Sequence, residues 1–164
     1  MRLSKNFTLQ ELTYSATALR LGIDNDPSKE GILKLTLLAT SLLQPLRERL
    51  GALRVTSGYR SFVLSEAIGS SSRSQHCKYE AVDLQYVRRG KMNNLAIYNA
   101  LIDLGLQYDQ CILEFGKNTE YVDGEPDWIH ISWKVSENRN QTIVAYKDIN
   151  NKTKYRPLIN YNSI

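Results

Sequence analysis

Hydrophobic spacing divides the chain into a helical first third and a strand-rich remainder. Leu35, Leu38, Leu42, Leu46 and Leu50 recur at three- and four-residue intervals, the period of a helix with one apolar stripe. Ser28 is placed to cap that helix and Gly51 to close it. Pro45 lacks a backbone N–H and predicts a kink or a split. Upstream, Thr8 and Glu11 match a capping box, with Phe7 positioned to staple onto Leu12, so a first helix is expected over about 9–19. The turn chemistry of Gly22-Ile23-Asp24-Asn25-Asp26-Pro27 ends it.

After Gly51 the period shortens. Leu53–Thr56 reads as a strand running into Ser57-Gly58-Tyr59-Arg60-Ser61, where Gly58 predicts a tight turn that leaves Tyr59 and Arg60 projecting from a strand end. Residues 62–68 suit one or two helical turns stopped by Gly69, and Ser70-Ser71-Ser72-Arg73-Ser74 reads as a mobile loop. Further strands are expected over 80–87, 110–115, 128–134 and 142–146, with an amphipathic helix over 92–104 closed by Gly105. A turn-rich connection runs through Gly124 and Pro126. Strand alternation sets Ile129, Ile131 and Trp133 on one face and Trp128, His130 and Ser132 on the other. It likewise puts Asp83 beside Ala81 and Gln85, and Glu114 beside Ile112. From about Asn150 the chain is polar and offers little to bury.

Helices first, strands later and one helix between strands point to an α+β fold in a single domain over 1–164. Its core is expected over about 7–147, with 148–164 a polar tail. A length of 164 residues, 42% hydrophobic and 23% charged, supports one real core. No apolar run approaches the length of a membrane span, and the polar start lacks the apolar stretch of a signal peptide. The protein is therefore expected in a cytoplasm unless another system exports it. The net charge of +4 comes from scattered residues with no dense basic tract, so no nucleic-acid partner is expected. Two cysteines, Cys77 and Cys111, make no disulfide framework. Cys111, in an apolar run, reads as a buried small hydrophobe.

His76 and His130 are the only histidines. With Asp83, seven residues after His76, they form a donor set that suits zinc. Three protein donors leave a fourth position for water, the catalytic arrangement, whereas a structural site wants four donors and usually more cysteine. Cys77 adjoins His76, but Asp83 supplies the better ligand. A histidine on a strand is more often a hydrogen-bonded or surface residue than a ligand, and spacing alone does not decide between the two.

Ser74-Gln75-His76 with Ala81-Val82-Asp83 resembles the SxHxxGxAxD signature of the D-Ala-D-Ala carboxypeptidase and L-alanyl-D-glutamate endopeptidase family. Asp127-Trp128-Ile129-His130 is similar to its second signature, an acidic residue three before the last histidine, and Ser57-Gly58-Tyr59-Arg60-Ser61 to its SGYRS element. Phe7-Thr8-Leu9-Gln10-Glu11-Leu12, Gly22-Ile23-Asp24-Asn25 and Tyr108-Asp109-Gln110 look like the phage-type branch. The resemblance spans about 7–135.

It implies a Hedgehog/DD-peptidase-like fold with a small, mostly antiparallel sheet carrying the metal. It also implies a monomeric zinc peptidase that cuts peptidoglycan stem peptides, held in a host bacterial cytoplasm until release to the wall. By position, His76, Asp83 and His130 would ligate zinc, and Asp127 would be the general base. Arg60 would bind a substrate carbonyl or carboxylate, and Ser74 and Tyr59 would contact substrate. Zinc lowers the pKa of a water to about 7, so a nearby carboxylate can take its proton at neutral pH. Glu125 is a rival base, five residues before His130, but Asp127 has the family's spacing. Two positions depart from the pattern. Ser65 stands where asparagine is common, and Tyr79 stands at a usual glycine, where a positive φ would strain it. Tyr79 also admits a second reading, a non-catalytic, zinc-stabilised wall-binding or virion module whose cleft that ring plugs.

Overall fold

Thr8 and Glu11 do form the reciprocal capping box, opening α1 (Leu9–Thr13) over the buried Leu12. The expected single helix is two. Tyr14 turns extended at ψ 132°, and Ser15 caps a new helix, α2 (Ala16–Leu21), by accepting from the Ala18 amide. The computed structural model describes residues 1–116 and 125–158, so the expected turn at Gly124 lies outside the described residues.

Ser28 caps α3 (Lys29–Leu38), whose helical path continues through a π-helical turn, Ala39–Leu43, into α4 (Gln44–Leu50). Pro45 therefore neither splits nor ends the helix. The wider i→i+5 turn just before it accommodates a residue that cannot donate and whose ring would meet a carbonyl one turn back. Of the leucine stripe, Leu35, Leu38, Leu42 and Leu46 are buried, joined by Leu43, while Leu50 is half-buried at its end.

The remaining chain builds a six-stranded sheet in the order β1 (Arg54–Ser57), β2 (Ala81–Gln85), β6 (Trp128–Ser132), β5 (Gln110–Glu114), β7 (Gln141–Lys147), β8 (Thr153–Pro157). All pairings are antiparallel except β5 with β7. After β1 comes α5 (Phe62–Ala67), capped by Ser61, and one face of the sheet meets the leucine stripe and α6 (Leu95–Asp103) through Val82, Leu84, Ile129, Ile131, Leu113 and Val144. Residues of opposite parity, among them Asp83, His130, Ile112 and Glu114, face away from the helices. A two-stranded hairpin, β3 (Val87–Arg88) with β4 (Lys91–Met92), claims Met92, so α6 starts three residues later than expected. Arg89 and Gly90 both take positive φ in its two-residue turn, as a right-twisting hairpin requires. Among the described residues no helix is long and apolar enough to cross a membrane.

The expected polar tail also differs. Thr153–Pro157 is the edge strand β8, joined to β7 by backbone pairing from Ile143–Pro157 to Lys147–Thr153. An edge strand buries little, and its alternation of half-exposed polar residues leaves no hydrophobic signature. At the other end, Arg2 bridges to Thr8 and Leu3 is buried, so the packed region begins before residue 7.

Gly58 owes its identity to close approach. A Cβ there would collide with the backbone carbonyl of Leu12, to which the next amide, Tyr59 N–H, donates at 2.7 Å. Gly58→Ala is expected to lower stability by about 1–3 kcal/mol, the usual cost of overpacking. Urea unfolding should show a lower midpoint with an unchanged slope.

Candidate metal centre

β2 and β6 pair with Asp83 directly opposite His130, which brings a carboxylate and an imidazole side by side on the sheet's open face. His76 arrives from a 3-10 turn, Gln75–Lys78, capped by Ser74, whose Oγ accepts from the His76 amide. Returning from that turn to β2 demands a left-handed residue, and Tyr79 supplies it at φ 64°, ψ 26°. The expected backbone strain is thus present, at roughly 1–2 kcal/mol for a non-glycine residue. Packing offsets it. The Tyr79 ring stacks on Tyr59 at 4.2 Å between centroids, lies over the bare Cα of Gly31, and accepts through its hydroxyl from the Ser28 amide.

Three atoms converge at the site. His130 Nδ1 is 3.0 Å from Asp83 Oδ1, His76 Nε2 is 3.3 Å from the same oxygen, and the two ring nitrogens are 3.2 Å apart. The outer ring nitrogens are already committed. His76 Nδ1 lies 2.7 Å from the Gly58 carbonyl, which only accepts, so Nδ1 carries the proton. His130 Nε2 faces Gln75 Oε1 at 3.2 Å, and the Gln75 amide nitrogen donates to Asp109 Oδ2, so Nε2 carries the second proton. In the neutral form of each ring the inner nitrogen then presents a lone pair toward the Asp83 carboxylate.

Three acceptors facing one another this closely need a cation between them. Donors at 2.0–2.1 Å in a tetrahedral shell stand about 3.3–3.4 Å apart, close to the spacing observed here. Nitrogen and oxygen donors with their outer atoms pinned by carbonyls therefore fit a small divalent ion. Ionisation agrees. Burial pushes the His76 pKa below the usual histidine value, against the pull of Asp83, and keeps the ring neutral. Burial would raise the Asp83 pKa; a proton on the facing nitrogens of His76 and His130 would outweigh it and hold that carboxyl well below the usual range, so a proton and a metal ion compete for the same place.

Behind His130 lies an orienting chain that the sequence did not reveal. Asp109, with its side chain only 2% exposed, receives Arg139 Nε at 2.9 Å and Lys134 Nζ at 3.0 Å besides Gln75. Burial would raise its pKa, yet the hydrogen bonds from Arg139 and Lys134 bring it down to about 2. A permanently ionised Asp109 fixes which end of the Gln75 amide faces His130. Its signal was a dipeptide, Tyr108-Asp109, with no partner nearby in sequence.

The ligand set forms the floor of a cleft of about 530 Å³. Arg60 lines it, 3.6 Å from Asp83 Oδ2 through Nη2, and its buried Nε has no partner among the described residues. Ser74 and Arg73 also line it. Tyr59 does not. It is buried beneath Tyr79, because its amide is anchored to Leu12 rather than held at a free strand end. Asp127 is exposed outside the cleft lining, held at the entrance of β6 by its backbone, with its N–H donating to Glu114 O and its carbonyl accepting from Gln85 and Asn94. Glu125 accepts from the Leu95 amide and so caps α6. Cys77 and Cys111 are buried apart from the donor cluster. Ser65, fully buried, donates to the Ser71 carbonyl and ties down the serine-rich loop. Glu114, on the expected face but given no role there, points into the cleft.

Replacing His130 with alanine should remove metal binding. Gln75→Leu, which deletes only the acceptor for its outer nitrogen, should weaken affinity by about 10–100-fold. Chelator competition against zinc measures both.

A profile of the family described as Peptidase M15 matches residues 5–132, well over half of the chain and the whole donor set. No individual curated protein matches. With the profile match and the three-donor cluster in agreement, the chain belongs to the Peptidase M15 family of metal-dependent peptidases.

Proposed function

We propose that this protein is a zinc peptidase that hydrolyses peptidoglycan stem peptides, of the D,D-carboxypeptidase or L-alanyl-D-glutamate endopeptidase type, and serves as a phage or prophage lysin released to the wall from the host cytoplasm. The observation that carries it is the triangle of His76, Asp83 and His130, acceptors only, on the floor of an arginine-lined cleft. Three protein donors leave a position open, as hydrolysis requires. Zinc bound there would supply Lewis acidity toward a water and an amide carbonyl.

The chain's own groups do the rest. The Arg60 side chain is 15% exposed on the cleft wall, its charge only partly answered by Asp83. It would bind the scissile carbonyl oxygen or a neighbouring carboxylate and oppose the negative charge that develops there. Arg73 adds a second cation on the same cleft, which suits stem peptides rich in carboxylates. Ser74 spends its oxygen on the His76 amide and retains a hydroxyl proton to donate to substrate. A non-catalytic module plugged by Tyr79 is disfavoured, since that ring packs against Tyr59 and Gly31 and leaves the cleft free.

Zinc-loaded protein incubated with purified sacculi should release new amino groups, and mass spectrometry of the fragments identifies the bond. Retention on sacculi without hydrolysis by folded, zinc-loaded protein would support the wall-binding module instead. Arg60→Ala should lower kcat/KM by about 100-fold with metal content unchanged, the scale of a lost charge-stabilising donor.

A further inference from the structure

The cleft that holds the donor triangle changes character along its length. Ile112 of β5 stands opposite His130, at its middle. Two residues back along β5 lies Gln110, beside the end where Arg139 grips Asp109. Two residues on lies Glu114, at the other end. At the rise of a strand, about 13 Å separate Gln110 from Glu114.

Strand register gives Glu114 a particular set of neighbours. Trp128 of β6 is directly opposite it, which sets their Cβ atoms about 4.5–5.5 Å apart. On its other side the partner is Ala145 of β7, and the partner of Ala145 is Tyr155 of β8. Trp128, Glu114, Ala145 and Tyr155 thus form one row across the sheet, and all but Ala145 line the cleft. Ala145 places only a methyl between the carboxyl and the Tyr155 ring. Electrostatics agrees, since burial and then the charge of Glu114 raise the Tyr155 pKa. Trp128 is braced by the Phe115 ring, edge-on at 5.4 Å between centroids.

Glu114 is half-buried, and among the described residues its carboxyl has no hydrogen-bond partner. Lys147, two residues on from Ala145, is engaged elsewhere. Its Nζ donates to Thr153 Oγ1 at 2.8 Å and lies 5.0 Å from the centroid of the Phe115 ring. A carboxyl drawn from water without a partner is costly, and a ligand cation would remove that cost. A carboxylate flanked by two aromatic rings offers an ammonium a counter-charge, an acceptor and cation–π attraction at once.

We propose that Glu114, Trp128 and Tyr155 form a subsite for a primary ammonium group of the substrate. The enzyme then selects stem peptides that carry a free amine toward this end of the cleft and a carboxylate toward the Arg139 end. Glu114 acts here in binding and takes no part in the proton transfers of hydrolysis. The side chain of a diamino residue and a free peptide N-terminus both supply the required group. Tyr155 lies beyond the residues that the family profile matches, so this wall of the cleft is not part of the matched region.

This selectivity rests on the peptidase reading, and the experiment separates the two. One stem peptide containing lysine is made in four forms, with its N-terminus and its lysine side chain each free or acetylated. With zinc-loaded wild type, acetylating one of these amines should lower kcat/KM about 10–100-fold, chiefly through KM, the scale of a charge-assisted hydrogen bond. Which amine it is identifies the source. In Glu114→Gln the same acetylation should change kcat/KM by less than about threefold, since a neutral amide forms no ion pair. A wild type indifferent to both acetylations, or an E114Q that keeps the wild-type ratio, overturns the proposal. Binding is read apart from turnover by the NMR signal of the Trp128 indole N–H in zinc-loaded protein, titrated with Nα-acetyl-lysine amide and with its Nε-acetylated form. The free amine alone should give a saturable shift in wild type, and neither probe should in E114Q. Tyr155→Leu should weaken binding of the free amine about threefold, the scale of one cation–π contact. No shift in wild type, or equal shifts with both probes, overturns the proposal. If wild type cuts none of the four peptides the peptidase reading fails, while the indole titration still decides on the ammonium subsite.

Discussion

Two neutral imidazoles and an ionised carboxylate held lone pair to lone pair repel one another, and burial denies them the water that would relieve it. Everything around the triangle of His76, Asp83 and His130 serves to hold that unfavourable arrangement. The β2–β6 register sets Asp83 against His130. The Gly58 carbonyl and the Gln75 amide decide which nitrogen of each ring points inward. Asp109, fixed by Arg139 and Lys134, decides how Gln75 is turned. A divalent ion held by these three donors would bind the folded chain and not the unfolded one, so metal binding and local stability are linked quantities.

The same constraint explains Tyr79. A one-turn helix that delivers His76 must reverse sharply to feed Asp83 into β2 seven residues later, and the reversal falls on the residue at φ 64°. Glycine would meet it without cost. Tyrosine meets it because Tyr59, Ser28 and Gly31 form a seat for its ring, two of them far from it in sequence. The departure from pattern is therefore local chemistry exchanged for tertiary packing.

What could be read from the sequence follows from the range of the forces involved. Caps at Thr8 and Ser28, the leucine stripe and the alternation in β6 are local, and they were legible. The donor set was legible because the chain has only two histidines and the family resemblance joined them to Asp83. The π turn before Pro45 and the edge strand β8 were not, since one depends on a shift of helix register and the other on backbone bonds that any sequence can make. The restraint of Asp127 at the mouth of β6, and of Glu125 on α6, depends on hydrogen bonds to β5, Gln85, Asn94 and Leu95 that no spacing announces.

The family match ends at Ser132, yet the sheet goes on through β7 and β8, and Tyr155 of that hairpin reaches the cleft rim. β8 is bonded only to β7, and both lie beyond the strands that hold the donors. The donors and this part of the cleft wall thus occupy separable layers of one sheet. Substitutions in the outer hairpin can reshape what fits over the cleft without moving a ligand, which gives this architecture a way to change its target while keeping its reaction.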